Sequence, residues 1–310
     1  MKKRRIVKFM VTAAMMLLAA GAVQAQEETS TENIVTMENQ TLGLSGITNA
    51  RQLGGYITED GMRVKDNVLL RSGKLADAAE GDLDILCRDY HLTEVIDFRT
   101  TAEIEAEPDP ELTGCERVEI RILDENDTAS NGNAAIAGIY NKQSDNPAEA
   151  LLELYRAGVL SEDMYSSMLD DETALKGYRT FLDELLAHED GAILWHCTGG
   201  KDRAGMAAVI ILTLLGVDKE TVLEDFALTN TFNQERIEYM VSSAKLLTED
   251  QEELSGVAAL VGVSRSNMEK VFEIAEAESG SLFAYIQEKL QVTDEEIAAL
   301  REKYLEAAEA

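Results

Sequence analysis

The chemistry-bearing pattern in this chain is a cysteine followed six positions later by an arginine: His196-Cys197-Thr198-Gly199-Gly200-Lys201-Asp202-Arg203. An apolar run, 192–195, precedes it and a longer one, 204–215, follows it, so a strand should deliver Cys197 into a short loop that becomes a helix. In that geometry the backbone N–H groups of 198–203 can converge on one centre, where the helix N-terminus adds positive potential. Gly199 and Gly200 let the backbone turn tightly and approach a ligand closely. Arg203 can return its planar fork across the loop mouth to two oxygens of a phosphate. The same field favours a thiolate at Cys197, the nucleophilic form of the side chain. Thr198, Gly199, Gly200, Lys201, Asp202 and Arg203 are therefore the candidate phosphate-binding residues, and Cys197 the group aimed at the bound oxyanion.

The elements that must position this loop are legible around it. Residues 204–215 are apolar nearly all round and stop at Gly216, the pattern of a fully buried helix with a glycine after its C-terminus. Strands are predicted at 68–70, 93–99 and 118–123, with a helix at 82–90 between the first two. Strand, helix, strand implies a mainly parallel sheet covered by helices, an α/β fold. Residues 126–146 read as an inserted loop leading into helices from 148 to 160, where Leu151, Leu152, Leu154 and Tyr155 recur at helical spacing; this insertion suits a lid over the site or plain scaffold equally. Asp218 and Thr293 stand at N-cap positions, and Thr293-Asp294-Glu295-Glu296 is a capping box.

These residues carry a resemblance. The segment 196–205, continuing through Ala204 and Gly205, is similar to the phosphate loop of the cysteine-dependent protein tyrosine phosphatase superfamily, and its Gly-Lys-Asp-Arg resembles that of the bacterial tyrosine/serine phosphatases. Asn49-Ala50-Arg51-Gln52-Leu53-Gly54-Gly55-Tyr56, Leu70-Arg71-Ser72-Gly73, Val95-Ile96-Asp97-Phe98-Arg99-Thr100, Leu215-Gly216-Val217 and Glu224-Asp225 match in the family's order, over about 42–306. The resemblance implies a protein-tyrosine-phosphatase-like fold, with a mainly parallel central sheet flanked by helices and a helical insertion. It also implies a phosphocysteine formed and hydrolysed without metal or other cofactor. Cys197 is then the nucleophile, Arg203 the phosphate clamp and Asp202 the favoured proton donor. Asp97 is a second candidate, for the acid or for orienting Arg203. Expelling a phenoxide or alkoxide near neutral pH calls for such a positioned acid. The implied substrate is a phosphorylated protein or peptide, with phosphotyrosine foremost; phosphoserine, phosphoinositides and inositol phosphates follow, and in some relatives the loop lysine, here Lys201, accompanies activity on phosphoinositides.

Two departures from the family stand out. Ala204 occupies a position that usually carries Ser or Thr, so the hydroxyl that would bond the departing thiolate is missing and phosphocysteine breakdown should be slow. Gln52 stands where an Asp is common. His196 is expected to bond local backbone and help hold Cys197 ionised. Cys87 and Cys115 read as core or loop residues able to pair in an oxidising compartment, leaving Cys197 as the odd thiol.

The chain has 310 residues, with 28 Lys plus Arg against 58 Asp plus Glu, a net charge of −30. So negative a surface repels nucleic acid and anionic lipid. Only three histidines, His91, His188 and His196, are present, too scattered for a multi-histidine metal site. Residues 1–5 read MKKRR, an apolar run over 9–23 broken only by Thr12 follows, and Val23-Gln24-Ala25 has the form of a cleavage site. This predicts a signal peptide over 1–25; its apolar run is too short to span a bilayer, hence export without stable membrane insertion. An acidic, aperiodic lead-in at 26–41 and one domain over 42–308 complete the expected organisation. The rival readings are a sulfurtransferase, against which Arg203 and Asp202 argue, and a weakly active phosphate-binding module, which Ala204 favours.

Overall fold

A computed structural model of the protein describes residues 36–123, 146–158 and 163–308. The predicted signal peptide, most of the lead-in and the inserted loop at 126–145 lie outside the described residues. Just ahead of Leu42, where the sequence reads as aperiodic lead-in, helix α1 (Met37–Gln40) forms, and Gln40 Nε2 donates to Gly54 O at 3.1 Å.

The central sheet has five strands: β1 (Arg51–Gln52), β3 (Leu69–Ser72), β4 (Leu92–Asp97), β5 (Glu116–Glu119) and β6 (Ala192–His196), in the order β1-β3-β6-β4-β5. Only β1 runs antiparallel; β3, β6, β4 and β5 are parallel to one another. Every residue of β6 is buried, because it lies between two strands and under helices on both faces. Its side chains alternate: Ile193 and Trp195 enter the larger core with Leu69 and Ile96, while Ala192 and Leu194 face Leu70, Val95 and Leu86 on the other side.

The larger core is covered by α6 (Glu172–Ala187), α7 (Arg203–Leu215), α11 (Arg265–Ser279), α12 (Leu282–Leu290) and α13 (Asp294–Tyr304); the opposite face holds α2 (Asp82–Arg88). Helix α7 is buried along its whole length and ends at Gly216, whose φ of 89° is the left-handed conformation the sequence implies. Asp218 caps α8 (Lys219–Phe232) by accepting from Thr221 N, and both halves of the Thr293 capping box are formed. A third cluster joins α4 (Glu149–Arg156), α9 (Gln234–Ala244) and α10 (Gln251–Val261) through Leu151, Leu152, Leu154, Ala244, Leu254 and Val257. The segment after the inserted loop is thus helical, though its described helix ends at Arg156. Helices α3 (Thr101–Ala106) and α5 (Met164–Ser167) are short.

One strand differs from its expected bounds. The third predicted strand, 118–123, pairs only over Glu116–Glu119, because its sole ladder partner β4 ends where Asp97 pairs with Glu119. Ile120 and Ile122 still alternate into the core without a ladder, which is why the sequence pattern ran on. Among the described residues no helix is long and apolar enough to cross a membrane.

Candidate active site

Strands β3, β4 and β6 end in register: Ser72 and Asp97 both lie opposite His196. The segments leaving their C-terminal edges therefore meet, the usual ligand position in a parallel sheet. Cys197 sits there, 2% exposed, at the start of the loop that enters α7.

The loop is held from outside by its carbonyls. Thr198 O accepts from Lys74 N at 3.2 Å. Gly200 O accepts from Asn49 Nδ2 at 2.8 Å and from Arg71 Nη2 at 2.9 Å, and Lys201 O lies 3.4 Å from the same Nη2. Because a peptide's N–H points opposite its C=O, carbonyls drawn outward turn the following amides inward. Among the described residues the amides of 198–202 meet no backbone acceptor, whereas Met206 N already bonds Asp202 O in the first helical turn. Gly200 is obligatory, with a φ of 64° and Ser72 O 2.4 Å from where a Cβ would stand. A Cβ at Gly199 would meet only the Lys201 side chain, at 3.7 Å.

Beneath the loop lies a buried charge cluster. Asp225 receives Arg51 Nε at 3.1 Å, Arg71 Nη1 at 3.1 Å and the Tyr56 hydroxyl at 3.1 Å. Arg51 also donates to Asn49 Oδ1, to Asp225 O and to Thr229 Oγ1. Burial pushes the Asp225 carboxyl up, but the two guanidiniums outweigh it and hold it below its ordinary value. Burial, and then repulsion from Arg51, draws Arg71 down to about 9. Two cations share one carboxylate, so one positive charge remains uncompensated under the loop, close enough to Cys197 for a thiolate there to bear on Arg71.

Arg203 is anchored by a residue the sequence reading passed over. Its Nη1 donates to Glu103 Oε2 at 2.7 Å and to Phe98 O at 3.0 Å, and its Nη2 to Glu103 Oε1 at 2.8 Å, a two-pronged pair. Glu103 Oε1 also accepts from the Thr198 hydroxyl at 2.5 Å. The same carboxylate completes a capping box with Thr100, its Oε2 accepting Thr100 N at 2.8 Å. Thr100-Thr101-Ala102-Glu103 directly follows the Val95–Thr100 match, so the box was the available signal. Burial raises the Glu103 carboxyl, but Arg203 outweighs it and the group falls to about 2. Arg203, although buried, is held in its charged form by Glu103 and by the Cys197 sulfur.

The remaining loop residues have defined partners. Asp202 Oδ1 accepts from the Tyr165 hydroxyl at 2.8 Å, and its Oδ2 lies 3.4 Å from Lys201 Nζ. Lys201 Nζ donates to Leu260 O at 2.7 Å and Gly262 O at 3.0 Å, capping the C-terminal end of α10. Ala204 is fully buried, its carbonyl accepting Trp195 Nε1 at 3.0 Å. Gln52 lies outside the loop, its Oε1 accepting Asn67 N at 2.7 Å.

Asp97 stands apart from Arg203. Its carboxylate accepts from Arg99 N and Nε at 3.0 Å and from Arg117 Nη2 at 2.8 Å. Burial raises it, but Arg99 and then His196 prevail and keep it well below the carboxylate range. Asp109 joins the same cluster, 2.6 Å from Arg99 Nη2 and 3.2 Å from His196 Nε2, while His196 Nδ1 lies 3.4 Å from Cys197 O, the local backbone contact the sequence suggested. Asp97, Asp109 and His196 offer atoms within 4.8 Å of one another, a spacing that suits a metal. Arg99 and Arg117 donate into both carboxylates, so guanidiniums already fill that role. Cys87 and Cys115 are free thiols, partly exposed; burial, and then the neighbouring Cys87, pushes Cys115 up to about 12.

A strand-delivered cysteine, an outward-bonded loop and an anchored arginine thus meet at the C-terminal edge of the sheet. Residues 42–306 match the tyrosine phosphatase family, so the chain belongs to it, an α/β protein-tyrosine phosphatase acting on phosphorylated substrates. It is similar to a provisionally named tyrosine-protein phosphatase of Cupriavidus necator, 27% identical over 275 residues, 85% of this chain and 88% of the relative. A tyrosine-protein phosphatase of Nostoc commune is 38% identical over 52 residues, 17% of this chain and 18% of that protein.

Proposed function

We propose that the protein is an exported protein-tyrosine phosphatase that works through a cysteinyl-phosphate, with the loop in place of a metal. The observation that carries this reading is the Glu103-anchored Arg203 facing a loop whose carbonyls are tied outward behind Cys197. A guanidinium has five N–H donors; Glu103 and Phe98 engage three of the four on the Nη atoms, leaving the Nε N–H and the second Nη2 N–H, 3.4 Å from Thr198 Oγ1, to meet two phosphate oxygens. The Cys197 thiolate attacks phosphorus, the bond to the tyrosyl oxygen breaks, and protonated Asp202 gives its proton to that oxygen. Water then attacks the phosphocysteine, Asp202 takes the proton back, and thiolate and phosphate separate. Ala204 offers no hydroxyl to the departing sulfur, so the second step is the slow one.

Phosphotyrosine is favoured over phosphoinositide because the Lys201 ammonium is spent on Leu260 O and Gly262 O instead of facing a second phosphate. The signal-like segment at 1–25 supports export.

The deciding experiment is hydrolysis of an aryl phosphate in chelator by wild type and Cys197→Ser. Turnover that survives chelation, is blocked by vanadate and disappears in the variant supports the reading. Binding without turnover in wild type, or turnover of thiosulfate, overturns it. Phosphotyrosine peptide, phosphoserine peptide and phosphoinositide, compared by kcat/KM, order the substrates, and N-terminal sequencing of exported protein should begin at Gln26.

A further inference from the structure

We propose that Tyr165, on the short helix α5, is a positioning residue for the proton donor Asp202; the inference rests on the reading of Asp202 given above. Tyr165 lies outside every segment that carries the family resemblance, yet it is 1% exposed and donates its hydroxyl to Asp202 Oδ1 at 2.8 Å. Its ring is itself fixed, meeting Phe226 edge to face at 5.1 Å between centroids, and Phe226 follows Asp225, the anchor of Arg51 and Arg71. Phe226 in turn packs against the first turn of α7, where a Cβ on Gly205 would stand 3.1 Å from the ring. The phenol is thus braced from the same cluster that braces the loop.

Geometry divides the work of the two carboxyl oxygens. Oδ1 accepts the phenolic hydrogen, so the transferable proton belongs on Oδ2. The carboxyl cannot rotate to exchange the two without breaking that bond. Asp202 leads α7 without capping it through its side chain, so no helix amide competes for the carboxyl. Burial, and then the Asp202 charge, holds the Tyr165 hydroxyl well above its ordinary value, so it stays a donor throughout the cycle. Tyr165 therefore fixes which oxygen faces the leaving group.

The test is Tyr165→Phe, which keeps the ring against Phe226 and removes only the hydroxyl, run beside Asp202→Asn. General-acid assistance matters most for a poor leaving group. Because kcat/KM reports the first chemical step, kcat/KM for phenyl phosphate should fall at least tenfold, while that for an aryl phosphate leaving as a weakly basic phenoxide should lose no more than about threefold. Inhibition by inorganic phosphate should be unchanged.

Equal losses of kcat/KM on both substrates overturn the proposal. So does a loss of phosphate affinity in step with kcat/KM, because the hydroxyl would then serve only the loop's structure. Asp202→Asn separates the two readings. If it shows the leaving-group dependence and Tyr165→Phe does not, only the role of Tyr165 fails; if Asp202→Asn shows none, the acid assignment fails and this proposal with it.

Discussion

Two buried clusters of arginine and carboxylate flank the strand that carries Cys197, and their charge balance differs. On one side Asp97 and Asp109 meet Arg99 and Arg117, two against two, with His196 between them. This cluster ties the ends of β4, β5 and β6 and, among the described residues, touches the phosphate loop through the backbone contact of His196 at Cys197 O. On the other side Arg51 and Arg71 share Asp225 alone, and Arg71 reaches past it to the loop carbonyls. The balanced cluster holds the sheet together, whereas the unbalanced one leaves a positive charge beneath the loop. On the proposed reading a bound anion would complete that charge.

The sharpest way to break this comparison is Asp225→Ala, which strands two buried guanidiniums. Removing one partner of a buried pair costs about 3–5 kcal/mol, and urea unfolding should show a loss of that order together with loss of aryl phosphatase activity. Arg117→Ala, on a side chain about one-third exposed in the balanced cluster, should cost roughly 1 kcal/mol and leave phosphate affinity intact. Equal effects of the two on phosphate inhibition would erase the distinction drawn here.

Glu103→Gln comes next. It keeps the size of the side chain and weakens the fork on Arg203, so kcat/KM should drop about 10–100-fold, the worth of a hydrogen bond to a charged group. Glu103 stands at about 2 in the fold against an ordinary 4.5, so the stability it adds is present above pH 4.5 and is lost as pH falls towards 2. Acid unfolding monitored by circular dichroism should therefore be steeper in wild type than in Glu103→Gln.

Glu94 sharpens the comparison from the opposite direction. It is a buried carboxyl with no arginine, raised to about 7 by burial and then by Glu184 and Glu116. Its neutral form is the one the fold favours, so stability is full below pH 4.5 and falls as pH rises through about 7. Glu94→Gln should equal wild type near pH 4 and exceed it by about 1–3 kcal/mol at pH 8; an unchanged difference across that range would contradict the assignment.

Lys201→Met has the smallest expected effect. Freed of its ammonium, the end of α10 near 260–262 should exchange amide hydrogens faster, with kcat on phosphotyrosine peptide changed less than about threefold.

What could be read in advance follows from distance along the chain. Cys197, Gly200 and Arg203 are neighbours, so spacing alone showed a strand, a loop and a buried helix. The parallel sheet followed from alternating strands and a helix, since β4 and β6 announce themselves by apolar runs. Glu103 was missed because its value to Arg203 is spatial, 100 residues away, although its capping box with Thr100 was visible. Asp225, Arg51 and Arg71 were noticed only as family matches; nothing local shows that three distant segments converge on one carboxylate. Asp97 looked like an acid at a strand end, and only the fold brings Arg117 from the neighbouring strand to engage it. Tyr165 carried no signal at all, a single aromatic in a four-residue helix.

The small second sheet has a consequence for how the molecule comes to exist. Strand β2 (Met62–Val64) pairs with β7 (Leu305–Ala307) on one side and bridges to Ile57 on the other, and Arg63 meets Glu306 across a separation of 243 residues. A chain synthesised from its N-terminus keeps the β7 side of that early strand open until residues 305–307 emerge. Residues 305–307 are the latch, and deleting them, which also removes the buried Leu305, should leave the edge at Val64 unfastened.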